Sequence, residues 1–188
     1  MTTTERFGRF ADHVTTYLGA VERVESAETA EGNRGYDLLF VRHSEMEVAS
    51  VVSNGLRFQN LVGDVPEELA CSVGTPQVEA AHYLVDTVAQ MVLDNEAVLE
   101  YGRVIPSPDP LLPGTNIQGV VAMAHPYAPD EFDLMRNEAG EVELQFVTLV
   151  PITKAESELG QAEGIQVLYG KWQEAGTDLL DITRESAV

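Results

Sequence analysis

The side chains able to do chemistry in this 188-residue chain are few and scattered. Four histidines (His13, His43, His82 and His125) and one cysteine, Cys71, are set among 31 Asp and Glu. Imidazole serves as a general base or a metal ligand. No two of these histidines have the H-x-x-x-H spacing that places a ligand pair on one helix face. His82 and Asp86 are four residues apart on a helical pattern. A local His–Asp pair at the rim of the core is expected there, since a metal would need two further ligands from elsewhere. His125, in 123-MAHPY-127, falls at the predicted end of a strand, but no motif marks a serine or cysteine nucleophile nearby. Cys71 follows Leu69 and Ala70 and reads as a buried thiol in a strand; a lone cysteine forms no internal bridge.

Other chemistries lack their signatures. The glycine-rich phosphate loops G-x-x-x-x-G-K-[ST] and G-x-G-x-x-G do not occur, nor does G-x-S-x-G. The run 130-DEFD-133 offers carboxylates without the spacing of a calcium loop. It reads as a solvated loop or, in the sharper reading, as a docking surface for a basic partner through Asp130, Glu131 and Asp133. Arginines are scattered singly, which gives no nucleic-acid groove. No metal or cofactor is therefore expected, and the chain reads as a noncatalytic protein-binding domain. The alternatives are a hydrolase or other enzyme working through His125 or His82 with nearby carboxylates, and a regulatory adaptor.

The net charge of −20 is spread along the chain. Such a field repels nucleic-acid phosphates and anionic lipid, and it accelerates the docking of a basic protein. A soluble bacterial surface or adaptation to salt would give the same balance. The first residues, MTTTERFGRFADHV, contain no apolar run of a signal peptide, and no stretch is long and apolar enough for a membrane span. The expected location is the cytoplasm. The length suits one domain, residues 1–188, with two sub-lobes meeting near 103–114 as a variant of that reading.

The elements that must position these side chains follow from periodicity. Phe7, Phe10, Val14 and Leu18 recur at helical steps up to Gly19. Residues 22–34 are polar and turn-rich, with a short strand or loop near Val21 and Val24. The runs 36–43, 46–53 and 67–73 read as strands, with 54-NG-55 suited to a hairpin turn. A broad apolar face over 75–102 predicts a central helix capped by Thr75, with Pro76 in its first turn and Gly102 at its end. Four prolines in 104–114 predict irregular chain. Strands follow over 115–126 and 141–150, the second apolar on both faces near its end. Pro151 is expected to end it. Thr153 and Glu156 then form the capping box T-x-x-E of a further helix. Gly160 and Gly164 either let that helix pack closely against a neighbour, or Gly164 ends it and a new helix begins at Ile165. The pattern α-β-β-β-α then β-β-α predicts an α+β fold: a mixed, largely antiparallel sheet with packed helices.

The segment 146-FVTLVPITKAESELGQAEGIQVL-168 resembles the C-terminal signature of the suppressor of fused family. There an apolar strand runs into a Pro-Ile pair and then a helix with an early glutamate and a later glycine and leucine. Here these are Pro151, Ile152, Glu156, Gly164 and Leu168. The stretches 51-VVSNGLRFQ-59 and 80-AAHYLVDTVAQMVLDN-95 are similar to the family's strand-turn segment and central helix. The resemblance implies a two-lobed α/β scaffold without known catalytic activity. Animal members bind a transcription-factor segment as an added strand. Bacterial members are single domains often encoded near polymorphic toxins, and this short chain is the closer analogy to them. That implies an immunity protein whose partner is a basic toxin domain.

Overall fold

The computed structural model describes residues 3–188, and the Phe7 side chain lies outside what it describes. Helix α1 (Thr3–Tyr17) leads into β1 (Ala20–Glu25), the small hairpin β2 (Glu28–Thr29) and β3 (Gly32–Asn33), then β4 (Asp37–Arg42), β5 (Val48–Asn54) and β6 (Glu67–Gly74). Helix α2 (Val78–Asn95) follows. After it come β7 (Val104–Pro106), β8 (Ile117–Met123), β9 (Leu134–Arg136) and β10 (Val142–Thr153), and the chain closes with α3 (Lys154–Glu163), α4 (Ile165–Ala175) and an extended tail. The main sheet has the order β1-β4-β5-β6-β10-β8-β7, with β9 also on β10. The β6–β10 pair is parallel and the remaining pairs are antiparallel, as expected of a mixed, largely antiparallel α+β sheet.

Both faces of the sheet are covered because the central strands are apolar at odd and even positions alike. Leu38, Phe40, Val51, Cys71 and Val147 pack under α2 through Ala81, Leu84, Val85 and Val88. Their neighbours Leu39, Val41, Val52, Ala70 and Phe146 pack under α1 through Phe10, Val14 and Leu18. A third cluster joins Val121, Val150 and Ile152 to Leu168 and Trp172 of α4. Cys71 is fully buried, and desolvation pushes its thiol up to about 12, which leaves it inert.

Several boundaries differ from the expected ones. The central helix begins at Val78 after a 3₁₀ turn over Thr75–Gln77, and Thr75 makes no cap. It ends at Asn95, where Glu96 adopts a left-handed conformation (φ 52°). Leu99 is still buried, but in the loop beyond. The Asn54-Gly55 pair opens a 3₁₀ turn over Leu56–Phe58 and no hairpin. The proline-rich stretch begins with the short strand β7. Pro151 does not end β10, which runs on to Thr153. Its missing N–H is tolerated because β10 pairs with β6 only from Gln145 to Thr148, so Pro151 lies where one side of the strand carries no ladder. Gly160 is buried, with Val104 Cγ2 3.2 Å from where a Cβ would stand. Gly164 instead has open space and φ 90°, so it separates α3 from α4 by conformation.

Beyond Thr148 the strands β6 and β10 part, and the C-terminal segment bonds to both. Gly74 N donates to Leu180 O at 2.8 Å on one side. On the other, Arg184 Nη2 donates to Pro151 O at 3.1 Å, and the hydroxyls of Thr153 and Ser186 are 2.8 Å apart.

Candidate functional site

Pro151, Ile152, Glu156, Gly164 and Leu168 lie where β10 passes into α3 and α4. The capping box is complete: Thr153 N donates to Glu156 Oε2 at 2.9 Å, and Glu156 N donates to Thr153 Oγ1. The fully buried Glu156 carboxylate also receives two hydrogen bonds from Arg184, at 2.6 and 2.7 Å. Trp172 Nε1 and Ala187 N complete its shell. Burial opposes the charge, but the Arg184 and backbone hydrogen bonds outweigh it and hold the Glu156 carboxyl below the usual range. Ile152 and Leu168 are buried in one apolar cluster with Val150 and Trp172. Pro151 O accepts from Arg184, and Gly164 separates the two helices.

The histidines are engaged. His125 is 8% exposed and buries its ring against Phe132. Its Nδ1 accepts from Tyr127 N and Ala128 N, so the proton of the neutral ring resides on Nε2. Nε2 lies 2.8 Å from Ser72 Oγ, which in turn lies 2.6 Å from Ser50 Oγ. A ring that donates to a serine cannot take that serine's proton, so the Ser72–His125 pair lacks the polarity of a nucleophile–base dyad. Desolvation lowers the imidazole to about 4, which keeps it neutral. His82 is not paired with Asp86: its Nε2 is 3.3 Å from Glu25 Oε2, while Asp86 accepts from Tyr36 and Arg34. His13 stacks on Phe146 and donates Nε2–H to Phe132 O. His43 Nδ1 accepts two turn amides. Among the described residues, no group of three or more His, Cys, Asp or Glu is arranged to hold a metal. No helix among them is long and apolar enough to cross a membrane.

The run 130-DEFD-133 divides in two. Phe132 and Asp133 face inward, at 0% and 5% exposure. Asp133 Oδ1 accepts from His125 N at 2.8 Å, and burial raises its carboxyl to about 6. Asp133 is thus a bracket within the protein and not part of an outer surface. Asp130 and Glu131 are exposed on the turn it secures. His13 ties that turn to α1 from the other side. The two acids therefore project from a fixed platform.

They stand at one end of the molecule where clefts adjoin. Asp130 lines a cleft of about 600 Å³ beside Arg9, Tyr17 and Arg136, and also one of about 420 Å³ beside His125, Ile165 and Tyr169. Tyr101 borders the second of these and a third, of about 580 Å³, between residues 62–65 and 97–101. Large apolar groups are exposed at this end: Phe58 at 55%, Val62 at 76% and Tyr101 at 43%. Phe58 is carried on the 3₁₀ turn, which is anchored by the buried Glu68. That carboxylate accepts from Ser53 Oγ, the amides of Gly55, Leu56 and Arg57, and the Arg57 guanidinium. Glu67, Glu68 and Arg184 carry much of this positioning, and none was singled out from the sequence. The available signal was a pair of acids heading a strand otherwise apolar.

An eight-stranded mixed sheet clad by helices on both faces defines the class, an α+β scaffold. The profile of the family described as Suppressor of fused protein (SUFU) matches residues 32–185, and the chain belongs to that family. The fold is similar to that of a protein described as a SUFU homolog from Neisseria gonorrhoeae FA 1090, with 19% identity, a TM-score of 0.69 and coverage of 97% of this chain and 94% of that one. It is similar to a chain of the Sufu–Fu complex, with 12% identity, a TM-score of 0.68 and coverage of 98% and 91%. Drosophila Suppressor of Fused matches with 14% identity and a TM-score of 0.56, over 80% of this chain and 42% of that one. At these identities the likeness is one of fold. No curated protein matches the chain.

Proposed function

We propose that this chain is a noncatalytic protein-binding domain that docks a basic protein partner, acts in the cytoplasm, and serves as an immunity protein neutralising a toxin. Membership of the SUFU family and the likeness to a chain solved in the Sufu–Fu complex support the protein-binding part. The observation that carries the reading is the adjoining clefts around Asp130 and Tyr101, where exposed apolar side chains stand among acids on anchored turns. Apolar anchors ringed by charge are the usual anatomy of a protein interface. The net charge of −20 would steer a cationic partner toward it. A nuclease toxin is such a partner, since it must hold phosphate.

The test pairs the domain with the product of a neighbouring toxin gene. Co-purification and loss of toxin activity on mixing are expected. Reversing Asp130 and Glu131 to lysine is expected to slow association and flatten its salt dependence, with the off-rate little changed. Association kinetics indifferent to both the reversal and ionic strength reject the acidic platform. Binding that leaves the toxin active rejects immunity in favour of an adaptor role.

A further inference from the structure

Among the described residues two buried carboxylates, Asp133 and Glu67, accept from a single backbone amide each, and Glu67 is the one that lines an acidic cleft. Glu67, at the head of β6, is 1% exposed, and its two oxygens share a single donor, Leu99 N, at 2.9 and 3.0 Å. A carboxylate has about four acceptor positions, so most of its capacity is unused. Adjacent Glu68 shows what satisfaction looks like in this fold, with five hydrogen bonds. Glu67 lines the cleft of about 580 Å³ whose walls are joined by Val62 N donating to Glu96 O and Val98 N donating to Val62 O. The other charged groups lining it, Asp64 and Glu100, are acids, and no base lines it. The Tyr101 hydroxyl is spent on Phe146 O, and Gln145 stands opposite Glu67 in the β6–β10 register. Val62 and Tyr101 give the mouth an exposed apolar rim.

We propose that this cleft is a socket for one arginine side chain of a protein partner, its guanidinium meeting the Glu67 carboxylate while Val62 and Tyr101 pack against its aliphatic stem. A planar guanidinium supplies the paired donors that a carboxylate with free acceptor positions lacks. Its charge complements three acids unopposed by any base in the cleft. The proposal rests on the reading of the chain as a protein-binding domain and names the group recognised. Proton and guanidinium compete for the same oxygens. Burial raises the Glu67 carboxyl to about 7, with the Glu68 charge adding to the rise and the Leu99 amide opposing it. Occupation of the socket therefore expels a proton.

Carbon-13 NMR of the glutamate carboxyl groups in the intact protein tests this with ethylguanidinium chloride as the probe. N-ethylurea serves as the neutral isostere, and sodium chloride matches ionic strength. A saturable shift at Glu67 and at the Leu99 amide is expected, about tenfold tighter at pH 8 than at pH 6. The Glu67 midpoint should move downward with probe concentration. Glu67→Gln should lose the response, and the native titration stands alone if that variant does not fold. Equal shifts with N-ethylurea or sodium chloride, or a response that is no stronger at pH 8, overturn the socket. The probe needs no protein partner, so the outcomes separate. A silent socket in a domain that still binds its toxin rejects the socket alone, whereas a responsive socket in a domain that binds no basic protein rejects the function proposed above.

Discussion

Glu67 and Glu68 are consecutive residues of β6, both buried on opposite sides of the strand, and they live in opposite electrostatic worlds. Glu68 is ion-paired to Arg57 and ringed by amides. Glu67 has one amide and a cleft. The first is an anchor whose loss should unfold a turn; the second is held in reserve.

Removing the Glu68 charge should therefore be severe. Glu68→Gln leaves the Arg57 guanidinium, 8% exposed at its side chain, without its counter-ion. A loss of about 3–5 kcal/mol is expected from denaturant titration. Protection of the Gly55 and Leu56 amides, both bonded to Glu68, against hydrogen exchange should fall first.

Glu67→Gln should behave in the reverse sense. The folded carboxyl titrates near 7 against an ordinary 4.5, so between those values the native state holds a proton that the unfolded chain releases. Stability from Glu67 is complete below about pH 4.5 and is lost as pH rises through 7. The variant should match the wild type at pH 5 and exceed it at pH 8, by at most about 3 kcal/mol. Paired urea titrations at the two pH values measure the difference.

His125 opposes it in acid. Its folded value near 4 lies below the ordinary 6.5, so the unfolded chain takes up the extra proton as pH falls through that window. Its contribution is present above 6.5 and lost on the way down to 4. His125→Asn should flatten the acid limb of the stability profile. Ser72→Ala, which leaves Nε2–H without its acceptor, should cost about 1–3 kcal/mol at neutral pH.

The Arg184–Glu156 pair should show the asymmetry of buried ions. Arg184→Met strands the Glu156 carboxylate and should cost about 3–5 kcal/mol, and adding Glu156→Gln should return part of it. Glu156 is held below its ordinary value, so the stabilisation is present above about pH 4.5 and fades as acid protonates it. A double-mutant cycle in denaturant gives the coupling.

The sheet was largely legible because Leu38 to Val41 and Val51 to Val52 are apolar at successive positions, a pattern that calls for cover on both faces. The capping box at Thr153 was legible because it is local. The end of α2 was not: Val98 and Leu99 continue the apolar pattern, but Leu99 packs into the core from the loop beyond Asn95, its amide bonded to Glu67. Pro151 misled because its tolerance depends on β6 having diverged, a fact of topology. The interior ion pairs were invisible for the same reason, since Arg57 and Arg184 find their carboxylates 11 and 28 residues away. Of the acidic platform, Asp130 and Glu131 kept their exposed place, while Asp133 turned inward to a backbone amide no local rule could name.

The segment between β6 and β10 has a bearing on the order in which the fold closes. Until Arg184 emerges, a nascent chain already long enough to assemble most of its strands would have to bury the Glu156 charge unaccompanied, and the gap beyond Thr148 would stand open. Final closure must wait for Arg184, so the seam beside β10 is the last part of the sheet to be sealed.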